Sequence, residues 1–240
     1  MVEGHRQVAA ALQAGARLLE LYAARELFLG EIDETLVDLA ARRGATIVEL
    51  GADAFRSVSR AVRPDGLAAI VERWPTALET IRLDATPPLV LVAEGIERPG
   101  NLGTIVRSAC AAGAAAVVVA DGVTDPFRGE VVRGSVGALF HVQVLEAGSA
   151  AVITWLRAHE IRLVVATPVA AAPYWSADYT AATALVIGGE RHGVSSCWLE
   201  HADETVTIPM PGHGDSLNAG VAAGIVLFEA ARQRLVKAAG

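Results

Sequence analysis

Four short runs from Leu89 onward are almost wholly apolar: Leu89-Val-Leu-Val-Ala93, Ala115-Ala-Val-Val-Val-Ala120, Ile161-Arg-Leu-Val-Val-Ala166 and Ala184-Leu-Val-Ile-Gly188. A strand with water on one face alternates polar and apolar residues, so strands lacking that alternation are covered on both faces. Stretches with helical periodicity separate them, one from Asn101, one near Arg128 to Val136 and one over 149–158, with a further extended run at His141-Val-Gln-Val-Leu145. Strands covered on both sides and alternating with helices indicate an α/β fold built on a parallel sheet. After Gly188 the simple alternation ends. A glycine turn, a short helix, the strand Thr205-Val-Thr-Ile208, the loop Pro211-Gly-His-Gly214 and a long helix from about Ser216 to Lys237 follow.

The first part reads as a smaller α/β unit. It has an amphipathic stretch from Gly4 to Gly15, a strand at Arg17–Tyr22, a helix over Asp33–Arg43, and strands at Ala45–Glu49 and Gly66–Val71. Asp33 is the expected N-cap and Gly44 the expected stop. Between Trp74 and Pro88 the periodicity fades and prolines appear at 75, 87 and 88, as an exposed connection requires. These signals predict a unit over 1–75, a linker over 76–87 and a larger unit over 88–240.

With 240 residues, 52% of them hydrophobic but only 5% aromatic, the core is built from aliphatic side chains. The longest apolar stretch, Ala109 to Ala120, is far shorter than the roughly 18 residues that cross a bilayer. The start, Met1-Val-Glu-Gly-His-Arg6, lacks the apolar core of a secretory signal, and Cys110 and Cys197 form no disulfide framework. The expected setting is the cytoplasm, without a membrane partner. The six histidines are scattered without metal-binding spacing, so no metal is expected. A net charge of −7 argues against a grip on nucleic acid through the overall field. A local patch stays open: Arg56, Arg60 and Arg63 share one short stretch, either a solvated loop or a set of phosphate contacts.

Three polar segments fall where strands or turns feed helices, the places at which open α/β folds bind ligands. In Pro99-Gly-Asn-Leu-Gly-Thr-Ile-Val-Arg107, Asn101 can cap a helix, Gly103 permits close approach and Arg107 projects from the next turn. In Leu185-Val-Ile-Gly-Gly-Glu-Arg-His-Gly193, two glycines follow a buried strand and Glu190 adds a carboxylate that a plain turn does not need. In Ile208-Pro-Met210 and Ser216-Leu-Asn218, a hydroxyl and an amide stand before a helix rich in small residues.

In this order the segments resemble the S-adenosylmethionine site of the SpoU-type (TrmH-like) RNA ribose 2′-O-methyltransferases of the SPOUT superfamily. The family patterns Asn-x-Gly-x-x-x-Arg, Gly-x-Glu-x-x-Gly and Ile-Pro-Met with Ser-Leu-Asn fall on the residues just quoted. One departure is visible, Ala219-Gly220 where Val-Ser is usual. The resemblance implies a parallel-sheet catalytic domain with a C-terminal trefoil knot, preceded by a small RNA-binding-like domain to which Val2-Glu-Gly-His-Arg6 and Pro64-Asp-Gly-Leu-Ala-Ala69 are similar. It implies methyl transfer from S-adenosylmethionine to a ribose 2′-hydroxyl of ribosomal or transfer RNA, by a homodimer. Asn101, Arg107, Glu190, Ser216 and Asn218 are the implied catalytic residues. Thr167, Ile187, Gly188, Gly189, Glu190, Ile208, Met210, Ser216, Leu217 and Asn218 would hold the cofactor. Arg107, with Arg133 and Ser135 of Arg133-Gly-Ser-Val-Gly137, would face RNA. A guanidinium has a pKa above about 12 and is a poor base, so Arg107 is assigned to orient phosphate and stabilise developing charge.

Two other readings stand beside this one. A Rossmann-type enzyme with Asp121 on a ribose requires a Gly-x-Gly-x-x-Gly turn after the first strand, which the chain lacks. A non-catalytic RNA-binding protein that retains the methyltransferase fold is kept open by Ala219-Gly220.

Overall fold

The computed structural model describes residues 1–84, 87–213 and 216–239. Part of the expected 76–87 linker and the end of the Pro211–Gly214 loop lie outside them. The chain divides into two compact units, Met1–Trp74 with Val136–His141, and Pro75–Ser135 with Val142–Gly240.

The first unit runs β1 (Val2–Glu3), α1 (His5–Gln13), β2 (Leu18–Ala23), α2 (Glu31–Arg42), β3 (Thr46–Glu49), α3 (Ala52–Val58) and β4 (Leu67–Val71). Its sheet has the order β1-β4-β2-β3, with β2 and β3 parallel and β4 antiparallel to its neighbours. Val8 and Leu12 of α1 and Leu36 and Val37 of α2 are buried, and Phe55 of α3 packs with Ala24 and Ala68. Asp33 is not the N-cap. It sits in the first turn of α2 and its carboxylate reaches back to the amides of Leu29 (2.7 Å) and Gly30 (3.2 Å), satisfying the helix end from inside. Gly44 does stop α2, at φ +87.

The second unit contains β5 (Leu89–Glu94), α4 (Pro99–Ala111), β6 (Ala116–Ala120), α5 (Gly129–Ser135), β7 (Gln143–Ala147), α6 (Ser149–Ala158), β8 (Arg162–Ala166), β9 (Thr183–Ile187), α7 (Ser196–His201), β10 (Glu204–Val206) and α8 (Ala219–Ala239). Its six strands are all parallel, in the order β10-β8-β9-β5-β6-β7, as the apolar runs predict. Val90, Val92 and Val118 pack with Val152 and Leu156 of α6 and the buried Trp198 of α7. The alternate residues Leu91 and Val117 point to the opposite face, where α4 meets β5 and α8 meets β9. Full burial of each such side chain is worth about 1.5–3 kcal/mol. Among the described residues no helix is long and apolar enough to cross a membrane.

Two details bear on later arguments. Helix α5 ends at Ser135 rather than Val136 because Val136 and Gly137 are both left-handed, at φ +51 and +89. The chain there passes into the first unit, where a Cβ on Gly137 would stand 2.7 Å from that of Ala10. Near the other end of the second unit, Arg234 of α8 donates to four carbonyls: Tyr179 (2.8 Å), Pro87 (2.6 Å), Pro88 (3.1 Å) and Ala181 (2.7 Å). It fastens α8 to the starts of β5 and β9.

Candidate functional site

The strand registers put Glu94, Ala120, Ile187, Ala166 and Val206 at the carboxyl edge of the larger sheet. From β5 the chain builds outward through β6 and β7, then returns to lay β8, β9 and β10 on the other side. The reversal lies between β5 and β9, and crevices at such switch points are where parallel sheets receive ligands. Thr167, Gly188 and Thr207 leave the sheet at adjacent strand ends. Thr167 N–H donates to Val206 O at 2.9 Å, and Thr207 pairs with the 172–174 segment.

Three motifs distant in sequence meet above this edge. Asn101, 9% exposed, donates from Nδ2 to Glu190 Oε1. Its Oδ1 accepts from Asn218 Nδ2 at 2.9 Å. Asn218 Oδ1 in turn accepts from the amides of Gly220 (2.9 Å) and Val221 (3.3 Å), capping α8. Asn101 was expected to cap its own helix. Instead α4 begins at Pro99, which suits the first helical position, and leaves Asn101 in the first turn to bond outward.

The cap of α4 comes from elsewhere. Glu190 Oε2 accepts from Glu97 N–H at 3.2 Å, and the Arg98 amide also favours the charged carboxylate. Burial pushes the Glu190 pKa up, but hydrogen bonds from its own amide, Asn101, Glu97 and Arg98 outweigh it and hold the group below the ordinary carboxylate range. A carboxylate at a helix N-terminus also gains from the macrodipole.

The glycines have packing reasons. A Cβ on Gly188 would collide with the Gly193 backbone, and one on Gly189 with Gly95 O. The loop closes on itself through Gly193 N–H to Gly189 O at 3.0 Å. A Cβ on Gly103 would come within 2.9 Å of Gly134 Cα, so α4 and α5 touch backbone to backbone. A Cβ on Gly220 would stand equally close to Thr104, 2.9 Å from its Cγ2. The Ala219-Gly220 departure therefore goes with a threonine filling the space on α4.

Of the remaining expected residues, Ile187 is buried, Thr167, Ile208 and Met210 are half-buried, and Ser216 and Leu217 are exposed. Arg107 is exposed on α4, with no ion pair or hydrogen bond among the described residues. Arg133 is half-exposed on α5. Ser135 is 1% exposed and its hydroxyl donates to Val132 O at 2.8 Å, which turns it into the helix. Arg56, Arg60 and Arg63 belong to the first unit. Arg56 is on helix α3, paired with Asp53 at 3.0 Å, rather than in a turn, and Arg60 N–H donates to Glu3. Asp121 does not present its carboxylate as a ribose-binding acid would: it accepts from Ser149 N–H (3.2 Å) and Ser149 Oγ, at the start of α6. Among the described residues no group of three or more His, Cys, Asp or Glu side chains is placed to hold a metal.

Sequence reasoning missed Glu94, Glu97 and Thr104. Glu94 carries the one visible signal, a carboxylate closing a wholly apolar strand.

Comparison with known proteins gives the same picture over nearly the whole chain. Residues 88–228 match the SpoU rRNA Methylase family, and residues 1–76 match the RNA 2'-O ribose methyltransferase substrate binding family. The chain is 31% identical over 228 residues to the 23S rRNA (guanosine(2553)-2'-O)-methyltransferase RlmP of Bacillus subtilis, across 95% of this chain and 86% of that protein. It is 36% identical over 213 residues to the 23S rRNA (guanosine-2'-O-)-methyltransferase RlmB of Xanthomonas axonopodis pv. citri, across 86% and 84%. The crystal structure of the SpoU methyltransferase AviRb from Streptomyces viridochromogenes with the cofactor AdoMet superposes with a TM-score of 0.88 at 30% identity, covering 98% of this chain and 89% of that one.

Proposed function

We infer that this chain, which belongs to the SpoU rRNA methylase family, is an S-adenosylmethionine-dependent RNA 2′-O-ribose methyltransferase. The observation that carries the reading is the hydrogen-bonded convergence of Asn101, Glu190 and Asn218 at the switch point of the sheet. Ribosomal RNA is the substrate class, supported by the relatives named for 23S rRNA, and we place the reaction in the cytoplasm on the same ground.

The residues fit the cofactor. Ile187, Ile208 and Met210 offer apolar surface for an adenine, the Gly188–Gly189 backbone carries no side chains, and Ser216 is an exposed hydroxyl beside the α8 cap. Bound there, S-adenosylmethionine supplies a methyl group on a cationic sulfur. Arg107 holds the phosphate beside the target ribose and stabilises negative charge as the 2′-oxygen loses its proton to solvent water. Its freedom from partners among the described residues supports this role. Glu190, held charged by the amides around it and by Asn101, is a positioning residue rather than the base. Much of the acceleration then comes from fixing oxygen and methyl in line.

Residues 1–75 select the RNA and residues 88–240 carry the chemistry, in keeping with the two family matches. The chain past β9 is threaded as a trefoil knot. A homodimer forms through α8, whose exposed Val221, Phe228 and Leu235 recur every seventh residue along one stripe. Sedimentation of the wild type as a dimer and of Phe228→Glu as a monomer tests this interface. The activity is tested by transfer of tritiated methyl from S-adenosylmethionine to ribosomal and transfer RNA. Label is expected in ribosomal RNA, at one nuclease-mapped site resistant to alkaline cleavage. Absence of label from both RNAs would overturn the reading.

A further inference from the structure

Glu94 ends a strand whose six residues are all buried, and is itself only 7% exposed. A carboxylate so placed is costly unless it is bonded. Its Oε2 accepts from Ser195 N–H at 2.9 Å, the one hydrogen bond to this carboxylate among the described residues. Ser195 closes the Gly188–Ser195 loop and precedes α7. The loop opens against the same place, since Gly189 lies on the carbonyls of Gly95 and Glu94. Its middle is held by Glu190 on the first turn of α4. Two consecutive residues at the end of β5 thus fix both ends of the loop, while α4 fixes its centre.

We propose that Glu94 is a positioning residue for methyl transfer, acting through Ser195 to set the shape of the Gly188–Ser195 loop in its cofactor-binding form. The proposal rests on the assignment of that loop to S-adenosylmethionine. The loop has glycines at positions 188, 189 and 193, so its backbone has little intrinsic preference for one shape. A charge-assisted hydrogen bond from a rigid central strand supplies that preference before the ligand arrives, which lowers the ordering cost of binding.

Glu94→Leu removes the acceptor, Glu94→Gln keeps an oxygen that Ser195 N–H can reach, and Ser195→Pro removes the donor from an exposed position whose φ of −70° suits proline. Each is compared with wild type by calorimetric titration with S-adenosylmethionine, methyl-transfer kinetics, thermal melting and amide exchange at Ser195 where an amide remains. Glu94→Leu and Ser195→Pro are expected to weaken cofactor binding and raise its KM at least about tenfold, with kcat at saturation within about threefold of wild type. Glu94→Gln restores most of the affinity. Ser195 exchanges faster in Glu94→Leu. Wild-type affinity in Ser195→Pro, or in a folded Glu94→Leu with Ser195 still protected, overturns the proposal. Wild-type protein that neither binds S-adenosylmethionine nor transfers methyl overturns the functional reading instead, and Ser195 exchange in Glu94→Leu then still decides whether Glu94 holds the loop.

Discussion

Asn218 Nδ2 donates to Asn101 Oδ1 at 2.9 Å across 117 residues of chain, while Asn218 Oδ1 caps α8. One amide group thus does two jobs, and chemistry can separate them. Asn218→Asp keeps the capping oxygen and loses the donor. Its melting temperature should stay near wild type, while S-adenosylmethionine affinity falls. Asn218→Ala loses both, and should unfold more easily by about 1 kcal/mol as well. Equal melting temperatures for the two variants in calorimetry would show that the cap contributes nothing.

Glu190 gives the site an acid limit. Its pKa is lowered in the folded protein, so the stabilisation is present above the unfolded value of about 4.3 and is lost as pH falls through the folded value. Glu190→Gln, which cannot titrate, should be less stable than wild type at pH 7 and converge with it as pH falls below the ordinary carboxylate range. Parallel stability curves across that range would contradict this.

Val136 and Gly137 are both left-handed, yet only one is glycine. A β-branched residue there carries strain of about 1–2 kcal/mol, and glycine in its place costs about 0.5–1 kcal/mol in chain entropy. Val136→Gly should therefore raise stability slightly in denaturant titrations. Gly137→Ala should lower it by more than about 1 kcal/mol, because φ is +89 and Ala10 stands in the way.

The contact between Gly220 and Thr104 couples α8 to α4. Gly220→Ala should cost about 1–3 kcal/mol from overpacking, and Thr104→Ala in the same chain should recover part of it. A double-mutant cycle with no coupling would show that the helices shift apart freely.

The parallel sheet was legible because burial on both faces leaves strands without polar positions, and β5, β6, β8 and β9 carry that mark. The polar motifs were legible one by one and their meeting was implied by the family resemblance, but the hydrogen bonds that join Asn101, Glu190 and Asn218 were not. Nothing local in Asn101 tells a helix cap from a side chain bonded to Glu190 and Asn218. Asp33 shows the same limit, since capping from the third helical position and from the position before the helix use the same residue type. The early end of α5 was hidden because Val136 is a residue that seldom turns left-handed, and here the surrounding structure imposes it.

Arg234 reaches back 146 residues to Pro88. Its four carbonyl acceptors sit where β5 and β9 begin, so neither strand is latched until the chain has been made through α8. During synthesis residues 1–74 can pair their own strands long before this, while the larger sheet must wait with its edges open. The ribosome-bound nascent chain should therefore show protease-resistant β1–β4 early, and protection of β5 only after Arg234 has left the exit tunnel.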